Sequence, residues 1–297
     1  MTGAPVLVAP DKFKGTFSAA EVAAAIAAGL RDGGRAAEEL PVADGGEGTA
    51  AALASALEGS ETTAVDASAA DGLHLVREAA RDPWTASSTG TGELIAAAID
   101  AGATHVVVGC GGTATMDGGR GMLEALGNPR GVKFTALCDV RTPWEHAAAV
   151  FGPQKGADPE LVKRLAERMD ALAATMKKDP RGVPLTGCGG GISGALWSEL
   201  GAELVSGPAY VLDAIGFDAR MRSAAFVVTG EGRLDESTLA GKAVAEVATR
   251  SRQAGVWCHA VVARDELDRF GRRVLDLASV HEAGDLRALR RAGRELA

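Results

Sequence analysis

The feature that most limits the possible folds is a repeated order of elements. A short apolar run is followed by a loop of glycines, acids and hydroxyls, and the loop leads into a helical pattern. In the clearest example, Gly109–Gly121 follows the β-branched run Val106–Val108 and precedes the helical pattern Met122–Leu126. Short β-branched runs predict buried strands, and strands that alternate with helices predict a mainly parallel sheet covered on both faces. The sequence therefore predicts an α/β fold.

Three further loops share this composition and this position: Asp11–Gly15, Asp44–Thr49 and Gly230–Thr238. The carboxyl ends of parallel strands meet at one edge of a sheet, where open α/β sheets bind ligands. Glycine lets a ligand approach backbone N–H groups closely, so the loops indicate a site for an anion. For Gly109–Gly121 the alternative is a crowded turn between a strand and a helix.

Helix starts are readable at two places. Ser18 and Glu21 have the spacing of a capping box, and Asp158–Pro159 begins a long amphipathic helix with a buried stripe through Leu165 and Met169. The segment 66–83 shows no clear period and allows no prediction. The chain also has no flexible linker, so the sequence favours a second domain inserted within the first.

Charge and cysteine usage exclude several classes of protein. The 297 residues carry a net charge of −8 that is spread along the chain, which disfavours a nucleic-acid partner. No apolar run approaches the roughly eighteen residues of a membrane helix, and the N-terminus lacks a secretion signal. The four cysteines show neither zinc spacing nor a disulfide framework. We expect a cytoplasmic protein with no membrane partner.

The mixture of glycines, acids and cations in these loops is typical of phosphoryl transfer. Backbone N–H groups and cations hold phosphates, carboxylates hold Mg²⁺, and a carboxylate can take the proton of the attacking hydroxyl. Asp44, Glu231 and Asp235 are the acids expected nearest the metal and the nucleophile. For each of them, a helix N-cap or a turn is the alternative role.

Four cations are candidates for holding phosphate or a substrate carboxylate: Lys14, Lys155, Arg233 and Lys242. Arg233 is the strongest, because a guanidinium can bind a carboxylate through two hydrogen bonds. The alternative for each is a solvated side chain.

Other nucleotide sites are less consistent with the sequence. No Walker A pattern is present, and Gly189, Gly191 and Gly194 match a dinucleotide fingerprint only after a poor strand. Nicotinamide binding is therefore disfavoured.

Six blocks together resemble one known family, the bacterial glycerate kinases with two α/β domains. In chain order they are Ala9–Gly15, Pro41–Thr49, Thr89–Ile95, Gly109–Gly121, Val150–Ala157 and Thr229–Asp235. The resemblance implies ATP- and Mg²⁺-dependent phosphorylation of D-glycerate at its 2-hydroxyl. It also implies a flavodoxin-like domain from both chain ends, residues 1–66 and 203–297, with a mixed α/β domain, residues 67–202, inserted and the active site between them. A monomer or a homodimer is expected.

The resemblance and the loop chemistry together assign roles to individual residues. The expected catalytic residues are Asp44, Asp235, Arg233 and Lys14, and the expected metal ligands are Asp44, Glu231 and Asp235. Substrate or phosphate is expected at Asp11, Gly45, Gly46, Thr91, Gly111, Gly112, Thr113, Asp117, Gly118, Gly119, Lys155 and Gly230.

The chain also departs from the family pattern. It is shortened around 68–72 and 129–133, and Met116 replaces an expected asparagine beside Asp117. An apolar thioether there replaces an amide that could bind substrate or metal. Two alternatives follow: a non-catalytic paralogue that binds a sugar acid or nucleotide, or a kinase for another small hydroxy acid.

Overall fold

A computed structural model describes residues 3–297 of the chain, and within them it contains eleven strands. The strands are β1 (Val6–Val8), β2 (Ala37–Glu39), β3 (Thr62–Asp66), β4 (His105–Gly109), β5 (Lys133–Cys138), β6 (Glu203–Ser206), β7 (Val227–Thr229), β8 (Arg233–Leu234), β9 (Cys258–Val262), β10 (Arg264–Asp265) and β11 (Ser279–Glu282).

Fourteen α-helices lie between and around the strands of this described range. They are α1 (Ala19–Asp32), α2 (Thr49–Leu57), α3 (Ala67–Asp71), α4 (Thr89–Asp100), α5 (Arg120–Leu126), α6 (Ala147–Phe151), α7 (Pro159–Ala173), α8 (Ile192–Leu200), α9 (Gly207–Ala214), α10 (Phe217–Ser223), α11 (Glu236–Leu239), α12 (Ala243–Ala254), α13 (Arg269–Leu275) and α14 (Leu286–Glu295). The predicted α/β class is confirmed.

The chain divides into two compact units. The first unit is Met1–Ala43 with Val211–Ala297, and the second unit is Asp44–Tyr210. The sequence-based bounds differ from these, because the structure assigns 44–66 and 203–210 to the second unit. The reason is strand pairing: β3 pairs with β4, and β6 pairs with β5.

The sheet of the first unit has five parallel strands in the order β2-β1-β7-β9-β11. Counted along this unit, the order is second, first, third, fourth, fifth, which is that of flavodoxin-like sheets. The direction of strand addition therefore reverses between β1 and β7. The strands β8 and β10 form a separate parallel pair.

The two ends of the chain pack together in the first unit through helices α1 and α14. A Cβ atom on Gly29 would lie 1.9 Å from the carbonyl oxygen of Arg290, and one on Gly293 would lie 2.2 Å from that of Ile26. Arg290 also pairs with Asp32 at 2.6 Å. Only glycine allows the two backbones to approach this closely. The start of α1 confirms the predicted capping box of Ser18 and Glu21.

The sheet of the second unit has four parallel strands in the order β3-β4-β5-β6, which is also their order along the chain. Helix α7 begins after the N-cap Asp158 and buries Leu165 and Met169 in a cluster around Trp144, as the sequence predicts. No helix within residues 3–297 is long and apolar enough to cross a membrane.

Candidate functional site

In the first unit, predicted site residues lie at the carboxyl ends of β1 and β7, where the strand order reverses. The backbone N–H of Asp11 donates to the carbonyl of Gly230 at 2.8 Å, which joins the two loops. A Cβ on Gly230 would lie 2.2 Å from the carbonyl oxygen of Val261, so this position requires glycine. A reversal of strand order is where open α/β sheets leave a crevice for ligands. The loops containing Asp11 and Gly230 are therefore brought together at the expected place.

Glu231 is the most perturbed acid of this region. Its side chain is buried, the Thr238 hydroxyl donates to Oε1 at 2.6 Å, and Nζ of Lys242 lies 3.7 Å from Oε2. Burial raises the pKa of Glu231 to about 7, because Lys242 and Thr238 offset only part of it while Asp11 and Asp235 add repulsion. The positive charge near Glu231 is therefore too small to offset its burial and the repulsion from Asp11 and Asp235.

Asp235 differs from Glu231 although both acids flank Lys242. Nζ of Lys242 lies 4.0 Å from Oδ1 of Asp235, and the Ser237 backbone N–H donates to the same oxygen at 2.8 Å. Burial alone would raise the pKa of Asp235, but Ser237 and Lys242 hold it below its ordinary value. Asp235 is therefore ionised at neutral pH and also serves as the N-cap of α11.

The two remaining cations predicted in the first unit are exposed. Nη1 of Arg233 lies 3.6 Å from Oε2 of Glu266, in a pair that is largely open to solvent. Lys14 is exposed on the loop after β1. Nζ of Lys12, which the sequence did not single out as a site residue, lies 3.5 Å from Oδ1 of Asp11. Adjacent opposite charges were the available signal for Lys12.

In the second unit, the loop that begins at Asp44 packs against the loop after β4. The carbonyl of Gly45 accepts the N–H of Gly111 at 3.0 Å, and the N–H of Gly46 donates to Oδ1 of Asp44 at 3.1 Å. A Cβ on Gly46 would lie 3.3 Å from the carbonyl carbon of Gly111. Four predicted residues are thus neighbours at the carboxyl edge of the second sheet.

Sequence reasoning missed two acids at this edge, Asp66 and Asp139. Asp66, the last residue of β3, accepts the backbone N–H groups of Gly48 and Ala50 at 2.8 and 2.9 Å. Asp139 follows β5, and a Cβ on Gly111 would lie 2.8 Å from its carboxyl carbon. The position of an acid at the end of a predicted strand was the signal that could have identified both.

Asp117 has a different environment from the one expected of a ligand. It accepts the N–H and the hydroxyl of Ser88, both at 2.8 Å, and the N–H groups of Gly119 and Gly121, both at 3.1 Å. These bonds join the loop after β4 to the start of α4. Asp117 therefore stabilises the loop, and contact with substrate stays a prediction.

Gly118 and Gly119 both have positive φ, 66° and 71°. A Cβ on Gly118 would lie 2.8 Å from Leu172, and one on Gly119 would lie 2.6 Å from Ala195. Neighbouring apolar groups thus fill the space that side chains at these two positions would occupy, and this half of the loop faces the protein.

Thr91 and Lys155 are also bonded within the protein. The Thr91 hydroxyl and N–H donate to Asp71. Nζ of Lys155, whose relative exposure is 3%, donates to the carbonyl of Thr115 at 2.6 Å and to the Thr113 hydroxyl at 3.5 Å. Lys155 thus supports the loop from inside.

Met116 is fully buried beside Trp144 in the cluster around α7. The Met116 carbonyl accepts a hydrogen bond from Arg168 at 2.7 Å. The thioether that replaces the expected amide is therefore part of the apolar core.

No group of three or more His, Cys, Asp or Glu side chains between residues 3 and 297 is arranged to hold a metal ion. Glu231 and Asp235 are near one another in the first unit, whereas Asp44 belongs to the second. The metal ligands named from the sequence stay a prediction.

A family model and two similar proteins point to the same family. A model of the Glycerate kinase family matches residues 6–64, 56–130 and 128–282. The chain is 34% identical to Glycerate 2-kinase of Escherichia coli K12, over 84% of this chain and 82% of that enzyme. It is 32% identical to Glycerate kinase of Haemophilus influenzae, over 97% and 94% of the two chains.

A solved structure is similar over nearly the whole length. It is the crystal structure of a protein assigned as glycerate kinase 2 from Salmonella typhimurium LT2, with a TM-score of 0.79 and 30% identity. The match covers 99% of this chain and 97% of that one.

Proposed function

The chain belongs to the glycerate kinase family, and from that premise we propose that this enzyme transfers the γ-phosphoryl group of ATP to the 2-hydroxyl of D-glycerate. The observation that carries the proposal is the Glu231–Lys242–Asp235 group at the strand reversal of the first unit. In such a group the lysine can hold a phosphate, and the two carboxylates can hold the metal ion bound to that phosphate.

Mg²⁺ fits the residues present. The pKa of Glu231 is raised to about 7, so the pocket favours added positive charge, and Mg²⁺ needs only one or two carboxylates beside substrate phosphates. Glu231 and Asp235 would hold the ion, which would neutralise charge on the phosphates. Lys242 and Lys12 would add positive charge at the same loops.

In the proposed reaction, the 2-hydroxyl oxygen bonds to the γ-phosphorus as the bond to the ADP oxygen breaks. The hydroxyl proton moves to a carboxylate, and Asp44 is the proposed acceptor. Asp235 is the less suitable base, because its pKa lies below the ordinary value and its carboxylate already caps α11. The glycine loops around Asp44 would orient the hydroxy acid through backbone N–H groups.

A coupled assay of ADP release tests the proposal, with Mg²⁺, ATP and a panel of small hydroxy acids. We expect turnover that depends on D-glycerate, with 2-phosphoglycerate identified by ³¹P NMR. Turnover with another acid alone would assign a different substrate. ATP binding without turnover on any acid would favour the non-catalytic paralogue.

A further inference from the structure

We propose that Ser68 is a further substrate-binding residue, whose hydroxyl donates to an anionic oxygen of a bound substrate. The inference rests on the proposed function and adds a contact to it. The oxygen belongs either to the carboxylate of the hydroxy acid or to a phosphate of ATP.

Ser68 lies in the first turn of α3, directly after β3 ends at Asp66. Its relative exposure is 1%, and its Oγ has no hydrogen-bond partner among the residues the structure describes. A buried hydroxyl without a partner is unfavourable, because it has lost water and gained nothing. Other buried serines of this unit are bonded: Ser88 donates to Asp117, and Ser193 donates to the carbonyl of Leu185. Ser68 is thus an exception that needs an explanation.

The Ser68 hydroxyl lies near Gly112, on the side where this residue lacks a side chain. A Cβ on Gly112 would lie 3.5 Å from Cβ of Ser68, and 4.0 Å from both Oγ of Ser68 and the backbone nitrogen of Glu47. All three are ordinary contact distances, so the protein leaves the side of Gly112 that faces Ser68 loosely packed. A hydroxyl and a backbone nitrogen both donate hydrogen bonds, so the ligand atom that suits this side of Gly112 is an oxygen.

Thr49 provides a second observation at the same edge. Its Oγ1 is fully buried and has no partner within the described part of the chain. Its Cβ would lie 3.4 Å from a Cβ on Gly109 at the end of β4. Two unpaired hydroxyls therefore flank Asp66, whose own oxygens accept the N–H groups of Gly48 and Ala50. An oxygen of a substrate bound at these predicted loops would supply a hydrogen-bond partner that the protein itself does not.

The test compares Ser68→Ala with Ser251→Ala in the full-length protein. Ser251 is an equally buried serine of α12 in the first unit, and its hydroxyl also has no nitrogen or oxygen partner in the described range. Steady-state ADP release gives KM for D-glycerate, KM for ATP and kcat. Thermal unfolding is measured without ligand and with each substrate.

For Ser68→Ala we expect KM for one substrate to rise about tenfold, as for a lost hydrogen bond to a charged group. The unliganded Tm should stay the same or rise, because an unpaired buried hydroxyl is removed. The Tm increase that this substrate gives should shrink. A change in KM for D-glycerate assigns the oxygen to the carboxylate, and a change in KM for ATP assigns it to a phosphate.

The inference is overturned if both KM values and both ligand-induced Tm shifts of Ser68→Ala match those of Ser251→Ala. It is also overturned if Ser68→Ala lowers the unliganded Tm without changing either KM. If the wild-type protein shows no turnover with D-glycerate, the proposed function fails. The Tm shifts with D-glycerate and with ATP alone then decide the role of Ser68.

Discussion

The sheets of the two units differ in one respect that determines how their carboxyl edges are built. In the first unit the strand order reverses between β1 and β7, and charged side chains from both loops lie at the reversal. In the second unit the strands follow chain order without reversal, and glycines make the close contacts at the edge.

The difference has a steric origin. Where strand order reverses, successive loops run in opposite directions and leave a crevice that side chains can occupy. Where it does not reverse, neighbouring loops pack on one another. A Cβ on Gly45 would lie 3.0 Å from Cα of Gly207 and 3.2 Å from the carbonyl carbon of Leu137. Glycines thus make most of the close loop contacts at the second edge, whereas the ion-paired side chains Glu231, Lys242 and Asp235 lie together at the reversal of the first.

The largest effect is expected for Asp44→Asn, which tests whether the second unit supplies the base. Turnover with D-glycerate should fall by roughly 10²–10⁴-fold, the usual contribution of general base catalysis, with little change in Tm. Steady-state ADP release measures it, and the exposed Asp100→Asn is the control. Turnover close to wild type would exclude Asp44 as base.

Glu231→Gln tests the charge balance of the first unit. The pKa of Glu231 is raised from 4.5 to about 7, so its contribution to stability is full below pH 4.5 and is lost as the pH rises through 7. Glutamine cannot ionise, so the variant should be more stable than wild type by on the order of 3 kcal/mol at pH 8. The gain should vanish at pH 4.

Urea unfolding at several pH values measures this gain, and turnover should be lost in the same variant. Glu236→Gln, at an exposed position of α11, is the matched control. A gain that does not depend on pH would contradict the charge argument.

Lys242→Ala distinguishes the nucleotide role of the first unit from the acid role of the second. Removing the cation between Glu231 and Asp235 should raise KM for ATP by roughly tenfold, as for loss of one charged hydrogen bond. KM for D-glycerate should change much less. Lys163→Ala on the exposed side of α7 is the control. Equal changes in the two KM values would contradict the assignment of ATP binding to the first unit and of acid binding to the second.

The smallest effect is expected on stability from Arg233→Ala. The Arg233–Glu266 pair is largely exposed, so its loss should change the free energy of unfolding by less than about 0.5 kcal/mol. Urea unfolding measures this. A fall in turnover at unchanged stability would support the predicted catalytic role of Arg233, and a large loss of stability would show that its contacts are structural.

Much of the fold could be predicted because its signals are local. The capping box at Ser18, the start of α7 at Asp158 and the β-branched run of β4 each depend on a few adjacent residues. The strand β8, with two residues, is too short to have a period. Segment 66–83 contains one short α-helix and two short 3-10 helices, and each of these is also too short to show a period.

The site was less predictable, because its contacts join residues distant in sequence. Asp117 has the composition of a ligand, but its partner Ser88 lies 29 residues earlier. Lysine is usually solvated, yet Lys155 is buried and donates a hydrogen bond to the carbonyl of Thr115, 40 residues away. Ser68 was missed because a missing partner can be recognised only in three dimensions.

The packing of α1 on α14 through Gly29 and Gly293 has a consequence for biosynthesis. Synthesis proceeds from the N-terminus, so α1 is made early, but its partner helix α14 is made only after the second unit. The second unit is one continuous segment and contains all four strands of its sheet. The whole second unit is therefore synthesised before α14, the helix on which the packing of α1 depends.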